Sequence, residues 1–303
     1  MPTVSLQNAL DLFLLVDRAP ATNRHYRYTL TRMAQAIGPK RNIALISFAD
    51  LLDYTSNIGD LKPTTRREYV RVIKTFFNWC TKIGYLQVSP AHQLYVRVPS
   101  TEPTDNAMPP EILAAIIDAS KYHPRNYALL HFIKSTACRR GGASSLRIPN
   151  LHLNERAAKI YKKGGSPYRV EFDSETANAL ITWLSVRPNV DHDYVFISLG
   201  SRNHLQPLKP SGIASIIKKL SKKVCGVEYG PHSIRHRTAH AYAERGVPIT
   251  VVAAKLGHTS TRHTERYYPQ GTHKILSALA EEIDPANPPN SKIIKLFNRV
   301  SIE

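Results

Sequence analysis

Cysteines are few in this sequence, and their arrangement argues against the structures that depend on them. The three residues, Cys80, Cys138 and Cys225, are odd in number and widely separated, and no CxxC pair occurs. Neither a disulfide framework nor a zinc site is therefore predicted. The sequence also lacks a His, Asp and Glu cluster with metal-ligand spacing and a GxxxxGKS/T phosphate loop. We expect reduced thiols and a reaction that uses no metal, nucleotide or other cofactor.

Long hydrophobic runs are absent as well. No stretch of about 18 consecutive apolar residues occurs, so neither a membrane span nor a membrane partner is predicted. The first five residues, from Met1 to Ser5, lack the basic and then apolar pattern of a secretion signal. These absences together predict a cytoplasmic protein.

Acidic residues are scarce relative to basic ones. Lysine and arginine number 41 against 23 aspartates and glutamates, which gives a formal net charge of +18. Such an excess costs self-repulsion and is typical of a protein with a polyanionic partner. The basic residues are spread along the chain, which favours folded surfaces along a duplex over a disordered arm. Charge alone does not separate DNA from RNA, but no aromatic RNA-stacking motif is found.

Two domains are predicted, because 303 residues exceed what one ordinary core organises. Residues 1–97 show the spacing of amphipathic helices, which we predict at 4–16, 22–37, 48–54 and 63–83. Ser47 is the expected N-cap of the third helix. The fourth helix carries basic residues off its apolar stripe: Arg66, Arg67, Arg71 and Lys74. We expect these four to lie free in solvent or to contact DNA phosphates.

A proline-rich linker at residues 98–110 precedes a second domain at 111–283. We predict its helices at 111–120, 125–136, 174–184, 211–223, 233–245 and 250–256. Two strand-like segments, 157–161 and 168–172, flank the turn Gly164–Pro167 as in a β-hairpin. The predicted fold class is therefore mainly α with a small β-sheet (α+β). Residues 284–303 form a tail whose short apolar-basic segment, Lys292–Val300, needs a surface to bury against, either on its own domain or on a neighbouring protomer.

The segment Pro231–His236 contains a His-x-x-Arg motif that fits an anion site. If Ser233 opens a helix, His232 lies at its mouth and Arg235 lies one turn further. Both side chains can then converge on one anion, together with the free backbone N–H groups of the helix start. Alone this motif is a common accident, and an ordinary surface histidine is the simpler interpretation.

Further residues in chain order make the motif more specific. They are Arg139 and Arg140 in a Thr136–Leu146 segment, Lys162 and Lys163 on the hairpin turn, His258 after Gly257, and Tyr267 nine residues later. Gly257 is a plausible helix end, which would leave His258 at a turn. Each residue alone has a structural explanation as a packing aromatic, a surface histidine or a solvated turn lysine. Their joint occurrence, after a basic helical domain in the chain, favours a catalytic site over these separate structural explanations.

Phosphodiester cleavage without a metal ion needs this set of groups. Two guanidinium groups can neutralise the nonbridging oxygens as the phosphorane forms. A tyrosine phenol, with a pKa of about 10, ionises more easily than a serine hydroxyl and can act as the nucleophile. A lysine can protonate the leaving 5′ oxygen, and histidines can donate hydrogen bonds and shuttle protons.

The order and spacing of these residues resemble those of the tyrosine recombinase and phage integrase family, including the Xer recombinases. The resemblance covers nearly the whole chain, because Thr64–Arg67, Phe76–Trp79 and Ser89–Ala91 are similar to the family's core-binding (SAM-like) domain. It implies the catalytic residues Arg139, Lys163, His232, Arg235, His258 and Tyr267. Arg139 matches better than Arg140, since Leu146 then falls seven residues later as in the family's TGLR…L box. The spacing also favours Tyr267 over Tyr268 as the nucleophile.

What the resemblance implies is a site-specific recombinase that cleaves and rejoins double-stranded DNA through a 3′-phosphotyrosyl intermediate. It further implies a homo-tetramer on DNA at the nucleoid, with the tail docked on a neighbouring protomer, and it allows accessory DNA-bending proteins. One position departs from the family pattern. Many members carry an acidic residue three places after the first arginine, where this chain has Gly142.

Two other functions share parts of this pattern. A DNA-binding regulator on the same scaffold would keep the charge and the helices, but it would not need Arg139, Arg235 and Tyr267 together. A type IB topoisomerase resembles the family in its chemistry, yet it relaxes supercoils without a defined site. The separate N-terminal helical domain and the tail favour recombination.

Overall fold

The computed structural model describes residues 4–59, 61–98, 106–161, 165–258 and 260–268. The chain divides into two compact units, Met1–Glu102 and Pro103–Glu303. Among the described residues, no helix has the length and apolar character needed to cross a membrane.

Over its described residues, the first unit has four α-helices packed around one core. They are α1 (Leu6–Leu15), α2 (Pro20–Ile37), α3 (Phe48–Ser56) and α4 (Pro63–Lys82). All four were predicted, and Ser47 is confirmed as the N-cap of α3, because its hydroxyl accepts from the backbone N–H of Asp50. The Asp50 carboxylate accepts in return from the Ser47 backbone, which completes a capping box.

The second unit contains seven further helices and one small sheet among the residues described. The helices are α5 (Pro110–Asp118), α6 (Pro124–Thr136), α7 (Arg140–Ser144), α8 (Ser174–Val186), α9 (Pro210–Cys225), α10 (Pro231–Glu244) and α11 (Ile249–Lys255). The strands are β1 (Leu151–His152), β2 (Ala157–Tyr161) and β3 (Pro167–Glu171), antiparallel in the order β1-β2-β3. The predicted hairpin is confirmed, with Ala158 opposite Val170. The fold class is confirmed as mainly α with a small β-sheet.

The local differences from prediction have simple causes. Helix α7 was not predicted, because its five residues include Gly141 and Gly142 and have no helical period. Helix α10 begins at Pro231 rather than at Ser233, since proline is well tolerated in a first helical turn. His232 is therefore already inside the helix, and Gly230 takes the N-cap position.

Candidate active site

Arg235 lies at the centre of the candidate site and is almost completely buried, with 4% of its surface exposed. Its Nη1 donates to the carbonyl of Ala137 over 2.8 Å, and its Nη2 donates to the carbonyl of Leu256 over 2.7 Å. Burial lowers the pKa of Arg235 to about 10, and the positive charge of Arg139 adds to that shift. The guanidinium therefore stays charged at neutral pH and is fixed by carbonyls from two separate loops.

His258 is the third partner of Arg235, and this contact fixes the protonation of its ring. Nη2 of Arg235 lies 2.8 Å from Nε2 of His258, while Nδ1 of His258 lies 2.8 Å from Oγ1 of Thr264. Because a guanidinium can only donate, Nε2 must accept and the ring proton must sit on Nδ1. The imidazole is therefore neutral in this arrangement, and Nδ1–H donates to Thr264. The end of α11 provides both this ring and the Leu256 carbonyl, with Gly257 at a φ of 63° between them.

The turn that follows α6 carries Arg139 and also contacts Arg235. Ala137 ends that helix in the left-handed conformation, with a φ of 51°, and Arg139 then forms the N-cap of α7. The same turn thus presents Arg139 to solvent and aims the Ala137 carbonyl at Arg235. A left-handed alanine costs about 1–2 kcal/mol. Its side chain is fully buried in the cluster that also holds Tyr267, and the packing there offsets that cost.

His232 lies in the first turn of α10, exposed at the surface of the unit. Partial desolvation of its ring lowers its pKa, and the nearby charges of Arg235, Arg140 and Arg139 lower it further. The charges of both arginines assigned to the site, Arg139 and Arg235, therefore act on His232. The expected convergence of His232 and Arg235 on one anion stays a prediction; two guanidinium groups beside a helix N-terminus would suit a phosphate.

Tyr267 is buried, with 6% of its surface exposed, and packs against Ala137, Ala239, Val252 and Leu256. Its hydroxyl oxygen lies 2.7 Å from Nδ1 of His236, on α10. The neighbouring Tyr268 is placed differently. Its hydroxyl donates to the carbonyl of Val247 over 2.6 Å, and burial raises its pKa.

A side chain added at position 142 would meet Ile160 of β2. Gly142 is buried in α7, and an added Cβ would lie 2.9 Å from Cδ1 of Ile160 and 3.6 Å from Cβ of Cys138. Because Cδ1 is the end of a flexible side chain, Ile160 would have to shift to admit a longer residue at this position. Glycine therefore lets α7 pack directly against Ile160 of the sheet.

The four basic residues expected to be free on α4 differ in exposure. Arg67 and Arg71 are exposed, and Arg71 pairs with Glu68 over 2.9 Å. Arg66 and Lys74 are half-buried, and Nζ of Lys74 donates to the carbonyl of Leu94 over 3.1 Å. The expectation that Lys74 is free was wrong, because a long lysine on the flank of a helix can reach a neighbouring backbone carbonyl.

Two sequence-based assignments lie outside the described residues: Lys163 on the hairpin turn and the tail at 284–303. Two other residues of the site were missed. His236 follows Arg235 directly, and Thr264 lies six residues after His258. Their contacts run between separate segments, so only the adjacency of His236 to the His-x-x-Arg motif could have drawn attention to it. Among the described residues, no group of three His, Cys, Asp or Glu side chains is arranged to hold a metal ion.

Comparison with known proteins gives the family. Tyrosine recombinase XerC of Corynebacterium glutamicum is 27% identical over 289 residues, covering 91% of this chain and 89% of the relative. The fold is similar to that of the Tn1549 transposon integrase in complex with transposon right end DNA, with a TM-score of 0.73, 14% identity, and coverage of 90% of this chain and 100% of that chain. It is also similar to that of a lambda integrase tetramer bound to a Holliday junction. The TM-score is 0.67 and the identity 13%, with coverage of 85% of this chain and 78% of that chain. Because the model of the phage integrase family matches residues 106–273, more than half of the chain, this protein belongs to that family.

Proposed function

We propose that this protein is a tyrosine-type site-specific DNA recombinase, an enzyme that cleaves and rejoins DNA strands by transesterification. The observation that carries the proposal is the arrangement around α10. Buried Arg235 is hydrogen-bonded to His258 and electrostatically coupled to Arg139, and Tyr267 packs against the same helix. A DNA-binding regulator would not need this set of groups in one place.

Each group has a role in the reaction. Arg139 and Arg235 neutralise the nonbridging oxygens of the scissile phosphate, and His232 and His258 complete the hydrogen-bonding environment. The Tyr267 oxygen attacks phosphorus and gives its phenolic proton to the neutral imidazole of His232, the bond to the 5′ oxygen breaks, and a 3′-phosphotyrosyl bond forms. Lys163 supplies the proton that the leaving 5′ oxygen takes up. Rejoining reverses these steps, and because the phosphotyrosyl bond conserves the energy of the phosphodiester bond, no nucleotide is required.

Tyr267 rather than Tyr268 is the nucleophile in this proposal. Tyr267 lies in the cluster that includes Ala137, whose carbonyl holds Arg235. The Tyr268 hydroxyl is engaged by the Val247 carbonyl, and burial raises its pKa, which makes ionisation harder. Both features support the assignment that the spacing after His258 favours.

The substrate is double-stranded DNA carrying specific recombination sites, which places the enzyme in the cytoplasm at the nucleoid. In this proposal residues 1–97 form the core-binding domain and residues 111–283 form the catalytic domain. Four protomers assemble on two sites, and the tail beyond residue 284 docks on a neighbouring protomer and closes the ring. The lambda integrase tetramer bound to a Holliday junction is the precedent among proteins of similar fold. Accessory DNA-bending proteins are compatible with this assembly.

A nicked suicide substrate tests the proposal, because the short fragment that carries the free 5′ hydroxyl diffuses away and the covalent complex is trapped. The wild-type protein is expected to give a covalent protein–DNA band in the presence of EDTA. Tyr267→Phe is expected to bind the same DNA and give no band, whereas Tyr268→Phe still gives one. An adduct that mass spectrometry maps to Tyr268 would overturn the nucleophile assignment. If no DNA that carries a recombination site of this family gives an adduct, the alternative function, a DNA-binding regulator, would be favoured.

A further inference from the structure

Two adjacent residues of α10 contact different parts of the site. Successive side chains of an α-helix point about 100° apart, so neighbours serve different surroundings. Arg235 points into the space between the Ala137 and Leu256 carbonyls. His236 instead meets Tyr267, with its Nδ1 2.7 Å from the phenol oxygen. The anion-binding arginine and the nucleophile are thereby tied to the same helical turn.

The environment of Tyr267 restrains the phenol on several sides. The His236 ring lies 5.5 Å from the tyrosine ring, centroid to centroid. The ring of His240, one turn further along α10, lies 5.2 Å away in an edge-to-face arrangement. Apolar contacts with Ala239 and Leu256 complete the packing. A hydrogen bond at the end of a ring held in this way sets the direction of the O–H bond and anchors the phenol oxygen.

The charge state of His236 suits the role of hydrogen-bond acceptor. Burial lowers its pKa to about 4, and the surrounding positive groups, chiefly Arg266, add to the shift. The imidazole is therefore neutral at physiological pH. With the ring proton on Nε2, Nδ1 accepts from the phenol O–H. A group with so low a pKa is a weak proton acceptor, so the contact favours positioning over removal of the proton.

We propose that His236 is a positioning residue that holds the Tyr267 hydroxyl through Nδ1 and thereby aligns the nucleophile with the phosphate bound at Arg235. This inference rests on the proposed function, in which Tyr267 attacks the scissile phosphate. Its physical basis is orientation, because displacement of a reacting atom by about 1 Å costs on the order of 100-fold in rate. The residue acts through Tyr267 and does not contact the DNA itself in this proposal.

The test compares two substitutions of His236, of which only one keeps a hydrogen-bonding atom near the position of Nδ1. His236→Asn keeps a polar atom close to the position of Nδ1, whereas His236→Phe keeps the ring and removes the acceptor. With nicked substrate at saturating protein, His236→Phe is expected to lower the rate of adduct formation about 100-fold while DNA affinity stays unchanged. His236→Asn is expected to restore most of that loss. Equal rates for His236→Phe and the wild type would overturn the inference, as would equal losses in both variants.

A second arm separates positioning from general damage to the site. In a Tyr267→Phe background, hydrogen peroxide supplied in solution replaces the phenol as the nucleophile. If His236 acts only through Tyr267, adding His236→Phe to this background leaves peroxide-dependent cleavage unchanged. A large further loss there would assign His236 to the integrity of the site and overturn the inference. If the wild-type protein forms no adduct at all, the proposed function itself fails, which is a distinguishable outcome.

Discussion

Nη2 of Arg235 donates to Nε2 of His258 over 2.8 Å, and this single contact makes the histidine a neutral acceptor. The proton on the opposite nitrogen is directed to Thr264, which is fully buried. A chain of hydrogen bonds therefore runs from the guanidinium through the imidazole to a threonine hydroxyl. Each member fixes the orientation of the one before it, as outer partners of functional histidines commonly do.

The first prediction concerns Thr264, the last member of this chain. Thr264→Val keeps the shape of the side chain and removes the hydroxyl that accepts from Nδ1 of His258. Because the site is buried and water does not easily replace the lost acceptor, the free energy of unfolding should fall by about 1–3 kcal/mol. Urea denaturation measures the loss, and Thr264→Ser should restore most of it. Equal stability of Thr264→Val and the wild type would show that this hydrogen bond does not hold His258.

The second prediction concerns the packing at Gly142. Gly142→Ala places a methyl group against Cδ1 of Ile160, whose flexible end must shift, and should cost about 1 kcal/mol of stability. Gly141→Ala is the matched control, since an added Cβ there meets nothing within 4 Å. Ile160→Val removes the clashing methyl, so the double variant should lose less than the sum of the two single losses. Additive losses in urea denaturation would contradict the packing account of this position.

A third prediction concerns stability in acid. The pKa of His236 is lowered to about 4 in the folded protein, against 6.5 for a free histidine. Neutral His236 therefore contributes fully to the free energy of unfolding above pH 6.5. This contribution is lost as the pH falls from 6.5 towards 4, because the unfolded chain binds the proton first. For one residue the loss between pH 7 and pH 5 is about 2 kcal/mol. Comparing urea denaturation at the two pH values should show a smaller loss for His236→Phe than for the wild type. An identical pH dependence in the variant would contradict this assignment.

The fourth prediction concerns the exposed basic residues of α4. If Arg67 and Arg71 contact phosphates, replacing both with glutamine should weaken binding to all DNA sequences alike. The slope of log K against log salt should become shallower by about 1.8, or 0.9 for each lost contact. Lys82→Gln, which removes one charge near the other end of the same helix, is the control and should leave the slope unchanged. A double variant that changes sequence preference but keeps the salt slope would contradict phosphate contacts.

The sequence by itself determined the hairpin and the described α-helices other than the short α7. Apolar spacing on α1, α2 and α4 buries one stripe of each helix, and the capping sequence at Ser47 starts α3 where predicted. These features are local, because the period of the side chains and the caps depend on residues within a few positions of each other. The strands β2 and β3 follow from the same kind of signal around a glycine turn.

The tertiary structure decided how the reactive groups are held. The Ala137 and Leu256 carbonyls reach Arg235 from positions 98 and 21 residues away, and Tyr267 meets His236 across 31 residues. Such partners carry no spacing signal in a single sequence, since they depend on how α6, α10 and α11 pack. The fit of Gly142 against Ile160 is of the same kind. Residue types in order thus pointed to the chemistry, whereas burial and long-range packing fixed the tautomer of His258 and the partner of the Tyr267 hydroxyl.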